Sequence, residues 1–133
     1  MREGKGAILL VEDEEDICWA LSRILSTMDY ATRAALSGRD ALQLAEHVPF
    51  DLGIVDAKLP DIDGIELAAR LREARAELPL ILISGYFYDD DVAVRDSVSK
   101  NLFCTFASKP FRASDIKDAV RLGLRSRDAR SPD

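Results

Sequence analysis

Four short apolar runs in this chain each lead into residues that can do chemistry, and this pattern constrains the fold more than any other feature. The runs cover residues 7–11, 53–55, 80–83 and 103–107. They lead in turn to Glu12 and Asp13, to Asp56, to Ser84 and to Lys109. Such continuous apolar runs are typical of parallel strands that are covered on both faces. Because the carboxyl ends of parallel strands meet at one edge of a sheet, we expect three carboxylates, a hydroxyl and an ammonium group to meet there.

Amphipathic helical patterns separate these strands, and a weaker strand is predicted at residues 30–36. The first helix is predicted over residues 14–28. Ser37 is expected to cap the second helix, which stops near Pro49. The third helix follows the turn at residues 61–64 and ends before Pro79. The fourth is predicted from Asp89 to Lys100, and the fifth is capped by Ser114, with an apolar face that reaches Leu124.

The strict alternation of strand and helix predicts an α/β fold. We expect a (βα)₅ chain that forms an open, doubly wound parallel sheet of five strands, with helices on both faces. The length of 133 residues fits a single domain over residues 1–133. We place its core at about residues 6–124 and a flexible polar tail at residues 125–133.

Composition excludes several classes of function. The net charge of −6 argues against direct binding of nucleic acid and against an anionic membrane surface. No run approaches 18 apolar residues, and the N-terminus lacks the apolar stretch of a signal peptide, so we expect a cytoplasmic protein. Cys18 and Cys104 stand apart in apolar patterns and are predicted to be reduced, partly buried thiols.

The residues at the strand ends favour phosphoryl transfer. Glu12, Asp13 and Asp56 would repel one another, and a hard divalent cation removes that conflict. All-oxygen ligation suits Mg²⁺ better than zinc, and the single histidine, His47, lies within a helical pattern. With Lys109 and Ser84 to contact phosphoryl oxygens, a carboxylate nucleophile would form an acyl phosphate.

At this point the chain resembles a known family, the receiver domains of two-component response regulators. The resemblance covers about residues 6–124 and rests on four motifs that occur in order on the predicted strands. They are Val11-Glu12-Asp13-Glu14, then Asp56-Ala-Lys-Leu-Pro60 with Asp63-Gly64, then Ser84-Gly85, and finally Lys109-Pro110-Phe111. The resemblance implies the flavodoxin-like strand order 2-1-3-4-5.

The resemblance also implies a role for each site residue. Asp56 is the phosphoacceptor, and Mg²⁺ is bound by Asp13, Asp56 and the backbone carbonyl of Lys58, with help from Glu12. Ser84 and Lys109 contact the phosphoryl oxygens after transfer. Phe106 occupies the family's aromatic switch position, and Ser84 shares in the switch. Gly85 keeps the path to the phosphoryl group open.

The predicted function is a phosphorylation-dependent signalling switch. The phosphodonor would be a histidine kinase or a phosphotransfer protein. The output partner would bind a surface formed by the predicted fourth helix, the fifth strand and the last helix. We expect a receiver that acts on its own aspartate rather than an enzyme with a diffusing substrate.

Two alternatives stay open: a pseudo-receiver that serves as an interaction scaffold without phosphorylation, and a small Mg²⁺-dependent aspartyl phosphohydrolase. Some positions depart from the commonest pattern, since Glu12 replaces a frequent Asp and Phe106 lacks the hydroxyl of a Tyr. The segment Tyr86-Phe-Tyr88 is either packed on the fourth helix or part of a partner-binding or site-covering loop, and Asp89 to Asp91 are expected to cap that helix.

Overall fold

The computed structural model describes residues 5–85 and 102–130, which contain five strands and four helices. The strands are β1 (Gly6–Val11), β2 (Tyr30–Ala35), β3 (Leu52–Asp56), β4 (Leu80–Ser84) and β5 (Thr105–Ser108). The helices are α1 (Glu15–Ser26), α2 (Gly38–His47), α3 (Gly64–Ala74) and α4 (Ala113–Arg130). The predicted helix from Asp89 to Lys100 and the segments at Tyr86–Tyr88 and Asp89–Asp91 lie outside the described residues.

All five strands are parallel and lie in the order β2-β1-β3-β4-β5, which confirms the predicted fold. The register aligns the carboxyl ends of the strands. Val11 lies opposite Ala35 on one side and Val55 on the other, while Asp56 lies opposite Ile83 and Ser84 opposite Ser108. The chemical residues that follow these strands therefore meet at one edge of the sheet.

The core has two layers because successive strand residues point to opposite faces of the sheet. In β1, Leu9 and Val11 belong to the layer beneath α2 and α3, whereas Ile8 and Leu10 belong to the layer beneath α1 and α4. All four side chains are at most 1% exposed. Burial on both faces explains why the three central strands β1, β3 and β4 read as continuous apolar runs, whereas the edge strands β2 and β5 keep exposed residues.

Several predicted boundaries were wrong by a few residues. Helix α1 ends at Ser26 rather than at residue 28, and Asp29 follows it with a positive φ of 69°. The fifth strand begins at Thr105 rather than at Phe103. Phe103 is 1% exposed and packs into the core layer beneath α2 and α3. Its apolar character therefore continues the sequence pattern of β5, although Phe103 lies before that strand begins.

Ser37 caps α2 as predicted, because its hydroxyl accepts the N–H of Asp40 at 3.2 Å. Helix α4 corresponds to the predicted fifth helix. Ser114 does not cap it, because the helix begins at Ala113. Instead, the carboxylate of Asp115 accepts the N–H of Arg112 at 3.0 Å. The helix continues to Arg130 and so includes residues that were predicted as tail, since nothing before Pro132 in the sequence breaks it.

Both cysteines are reduced thiols, as predicted. The buried Cys18 donates to the carbonyl oxygen of Glu12 at 3.3 Å, and the half-buried Cys104 donates to that of Leu80 at 3.2 Å. Among the described helices, none combines the length and apolar character needed to cross a bilayer.

Candidate functional site

Backbone hydrogen bonds extend the sheet by one residue beyond the strands and so place the site residues. The N–H of Glu12 donates to Ala35 at 3.1 Å, that of Ala57 to Ile83 at 2.9 Å, and that of Lys109 to Ser84 at 2.6 Å. Each of these bonds continues a parallel ladder past the end of the apolar run. The backbone next to each chemical residue is therefore held by a neighbouring strand.

The three predicted carboxylates form one cluster at this edge. Glu12, Asp13 and Asp56 each offer an oxygen, and these oxygens lie within 4.8 Å of one another. Glu12 is fully buried and Asp56 is 6% exposed, whereas Asp13 is exposed. An all-oxygen set of this size fits a hard divalent cation. Beside it is a cavity of about 430 Å³, whose lining residues are Asp13, Glu14, Asp56, Lys58, Ser84, Gly85 and Lys109.

Lys109 is the cation of the cluster. Its ammonium group forms an ion pair with Glu12, lies 3.3 Å from Asp56 Oδ2 and lies 4.0 Å from Glu14 Oε2. Burial works to lower the pKa of Lys109, but the hydrogen bond to Glu12 and the charge of Asp56 outweigh it and raise that pKa. Lys109 therefore stays charged and counters part of the negative charge around Asp56.

The carboxylates still outnumber the ammonium group, and Glu12 shows the consequence. Burial and the neighbouring Asp56 raise the pKa of Glu12 from an ordinary value of 4.5 to about 8, although Lys109 acts in the opposite direction. A second positive charge at this edge would favour the ionised form of Glu12. The electrostatics of the cluster thus favour the uptake of a cation.

The loop after β3 is tightly closed on the end of that strand. The N–H of Lys58 donates to Asp56 Oδ1 at 3.3 Å, and that of Gly64 donates to the carbonyl oxygen of Ala57 at 2.9 Å. A Cβ atom on Gly64 would lie 2.2 Å from the carbonyl oxygen of Asp56, so only glycine fits there. Lys58 is exposed and borders the cavity, and an isolated antiparallel bridge pairs it with Asp63.

The remaining predicted residues divide between two places. Ser84 is 4% exposed and borders the cavity together with Gly85. Among the described residues, a Cβ on Gly85 would meet nothing within 4 Å, so this part of the structure leaves space on that side of the site. Phe106 does not join the cluster. It is 38% exposed and borders a separate cavity of about 440 Å³ between β5 and α4.

Sequence reasoning missed the roles of Glu14 and Asp61. Glu14 borders the cavity and reaches toward Lys109, which its place beside Asp13 in the first motif could have indicated. Asp61 was predicted only as part of a turn. Its carboxylate accepts the N–H groups of Gly38 and Arg39, and these bonds lower the pKa of Asp61. No local spacing signals a contact between residues more than 20 positions apart.

Comparison with known proteins agrees with this geometry. A family model described as the response regulator receiver domain matches residues 8–121. The uncharacterized transcriptional regulatory protein YkoG of Bacillus subtilis is 30% identical over 129 residues, which cover 97% of this chain and 55% of YkoG. Sporulation initiation phosphotransferase F of the same organism is 31% identical over 114 residues, covering 86% of this chain and 90% of that protein.

Among solved structures, the response regulator protein TrrA of Thermotoga maritima, determined in complex with Mg(2+)-BeF, is 27% identical. Its TM-score is 0.77, and the match covers 88% of this chain and 97% of TrrA. The chain spans about half the length of several curated relatives that it matches. With the family model, the strand order and the acidic edge in agreement, the chain belongs to the receiver domains of two-component response regulators.

Proposed function

We propose that this receiver domain is a phosphorylation-dependent signalling switch and that Asp56 is its phosphoacceptor. The observation that carries the proposal is the position of the Asp56 carboxylate. It lies at the carboxyl end of the sheet, 3.3 Å from the Lys109 ammonium group and beside the oxygens of Glu12 and Asp13. Asp56 also borders the open cavity, so a phosphodonor can approach it.

The same proposal assigns Mg²⁺ to the acidic cluster. Asp13, Asp56 and the backbone carbonyl of Lys58 would hold the ion, and Glu12 would help directly or through water. When bound, Mg²⁺ would neutralise negative charge on the phosphoryl oxygens. Two observations support this assignment: the carboxylates around Glu12 outnumber the ammonium group, and all the donor atoms are oxygens. The Mg(2+)-BeF complex of TrrA, a relative at 27% identity, also supports it.

The proposed reaction is transfer from phosphohistidine to the Asp56 carboxylate. A carboxylate oxygen forms a bond to phosphorus while the phosphorus–nitrogen bond of the donor breaks, and the bonding pair leaves with the imidazole. Lys109, already in contact with Asp56, would bind a phosphoryl oxygen by its charge. Ser84 would donate its hydroxyl to another phosphoryl oxygen from the neighbouring strand end.

The partners follow from this chemistry. We infer a histidine kinase or a phosphotransfer protein as the donor. Movement of Ser84 and Lys109 toward the phosphoryl group would be passed to Phe106, which lies on β5 between those residues in sequence and at the surface beside α4. The output partner would bind that surface together with the predicted fourth helix. We propose that residues 1–133 act as one receiver unit, and the cytoplasmic location stays a prediction.

The test is covalent labelling of the whole chain. With Mg²⁺ and acetyl phosphate or phosphoramidate, the unaltered chain is expected to gain one phosphoryl group, measured by intact mass. Asp56→Asn should abolish the labelling because an amide is a poor nucleophile. Asp118→Asn is a matched control, since Asp118 is exposed on α4 and paired with Arg121. Labelling of the Asp56→Asn chain at the unaltered level would overturn the assignment.

A further inference from the structure

The tip of the loop after β3 is held by a distant helix. Both carboxylate oxygens of Asp61 accept backbone hydrogen bonds from the start of α2, from Gly38 at 2.9 Å and from Arg39 at 3.0 Å. The first N–H groups of a helix lack partners within the helix, so a carboxylate placed there is held firmly. These bonds link segments that are 23 and 22 residues apart.

A packing contact reinforces the same junction. A Cβ atom on Gly38 would lie 2.2 Å from Ile62 Cγ2, so the loop side chain sits directly against the helix backbone. Hydrogen bonds to Asp61 and close packing of Ile62 therefore hold two adjacent loop residues at the same end of α2. At Gly38 the junction therefore leaves no room for a side chain.

The helix has a local cap of its own, so the Asp61 contact does more than complete it. Ser37 accepts the N–H of Asp40 at 3.2 Å through its hydroxyl, and its carbonyl oxygen accepts the N–H of Ala41 at 3.1 Å. The cap leaves the N–H groups of the buried Gly38 and of Arg39 to other partners, and the Asp61 carboxylate accepts both. This distant carboxylate thereby ties α2 to the loop that carries Lys58.

The base of this loop is held as firmly as its tip. The N–H of Gly64 bonds to Ala57, and an isolated antiparallel bridge pairs Lys58 with Asp63. Asp56 belongs to β3 at one end, and Asp61 is hydrogen-bonded to α2 at the other. The short segment between them therefore has little conformational freedom. The Lys58 backbone lies between these two attachments and is restrained from both sides.

We propose that Asp61 is a positioning residue for the cation site: by binding the start of α2, it fixes the loop so that the Lys58 backbone carbonyl stays in place beside Asp13 and Asp56. The proposal rests on the Mg²⁺ site proposed above. Residues that orient metal ligands typically change metal affinity by about 10-fold to 100-fold when altered. Because Asp61 acts through the backbone rather than on a ligand atom, the lower end of this range is expected.

The experiment measures Mg²⁺ binding to the whole chain by calorimetry, at a temperature where each variant is folded by circular dichroism. Asp61→Ala is expected to weaken Mg²⁺ binding by about tenfold. Asp61→Asn keeps one acceptor oxygen and should show a smaller loss in the same direction. Ser37→Ala is the matched control, because it removes a cap from the same helix end without touching the loop, and it should leave Mg²⁺ affinity unchanged.

A second variant tests the same junction from the helix side. Gly38→Ala keeps the Asp61 carboxylate and improves helix propensity, but its methyl group would press on Ile62 and displace the loop tip. Weaker Mg²⁺ binding by Gly38→Ala would support positioning. If both Asp61→Ala and Gly38→Ala bind Mg²⁺ as the unaltered chain does, Asp61 is only a helix cap and the inference is wrong. Failure of the unaltered chain to bind Mg²⁺ would instead reject the proposed function.

Discussion

Replacement of Glu12 by Gln should change how the stability of the metal-free protein depends on pH. Glu12 is fully buried beside Asp56, and this environment raises the pKa of Glu12 from 4.5 to about 8. Between these two values, the native state keeps a proton that the unfolded chain releases. The protonated Glu12 therefore contributes to the free energy of unfolding, fully below pH 4.5 and progressively less as the pH rises toward 8. Gln does not titrate, so Glu12→Gln removes the effect.

The magnitude follows from the size of the shift. Each pH unit within the window changes the free energy of unfolding by up to about 1.4 kcal/mol for one group. From pH 5.5 to pH 7.5, the free energy of unfolding of the unaltered protein should therefore fall by about 2 to 3 kcal/mol relative to that of Glu12→Gln. A loss of this size is a large part of the total stability of a small domain, which is about 5–15 kcal/mol.

The assay is urea unfolding at a series of pH values with EDTA present, followed by circular dichroism. Glu66→Gln is the matched control, because Glu66 is exposed on α3 in an ion pair with Arg70 at 3.1 Å. Such a pair contributes at most about 1 kcal/mol to stability. The free energy of unfolding of this control should therefore depend on pH in nearly the same way as that of the unaltered protein. Added Mg²⁺ should stabilise the unaltered protein more at pH 7.5 than at pH 5.5. A difference between Glu12→Gln and the unaltered protein that stays constant across the series would refute the reasoning.

Two further outcomes are expected. Gly64→Ala should lower the free energy of unfolding by about 1–3 kcal/mol in urea titrations, because its methyl group would collide with the backbone at Asp56. Gly85→Ala, where a methyl group meets no described residue within 4 Å, should change the free energy of unfolding by less than about 0.5 kcal/mol, and equal losses would contradict the packing argument. Cys18 should react with iodoacetamide at pH 8 much more slowly in the native than in the unfolded chain, since burial and the charge of Glu12 raise the pKa of its thiol to about 11. Peptide mass spectrometry measures this rate, and equally fast labelling of native Cys18 would show that the thiol is accessible.

The fold was predictable because its main signal is local in the chain. Strands buried on both faces must be apolar throughout, and helices that cover a sheet must carry one apolar face. Where a boundary was wrong, a tertiary contact was the cause. Phe103 is apolar because it fills the core, although it lies outside β5, and Asp115 rather than Ser114 supplies the hydrogen bond at the start of α4.

The chemical types at the site were also predictable, because each stands within two residues of the end of an apolar run. Their energetics were not. The raised pKa of Glu12 depends on its burial and on Asp56, which lies more than 40 positions away in sequence and outweighs the opposing effect of Lys109. The role of Glu14 beside Lys109 depends on how the ends of β1 and β5 face each other across the edge.

The amino-acid sequence by itself determined which residues can do chemistry and that they would share one edge of a parallel sheet, since strand direction follows from the alternation of strand and helix. Only the tertiary structure decided how these residues act on one another. It buried Glu12, placed Lys109 against two carboxylates, left Phe106 on a different surface and joined Asp61 to the start of α2. The physical reason is that burial, charge proximity and backbone bonds between distant segments exist only once the chain is packed, and no local pattern records them.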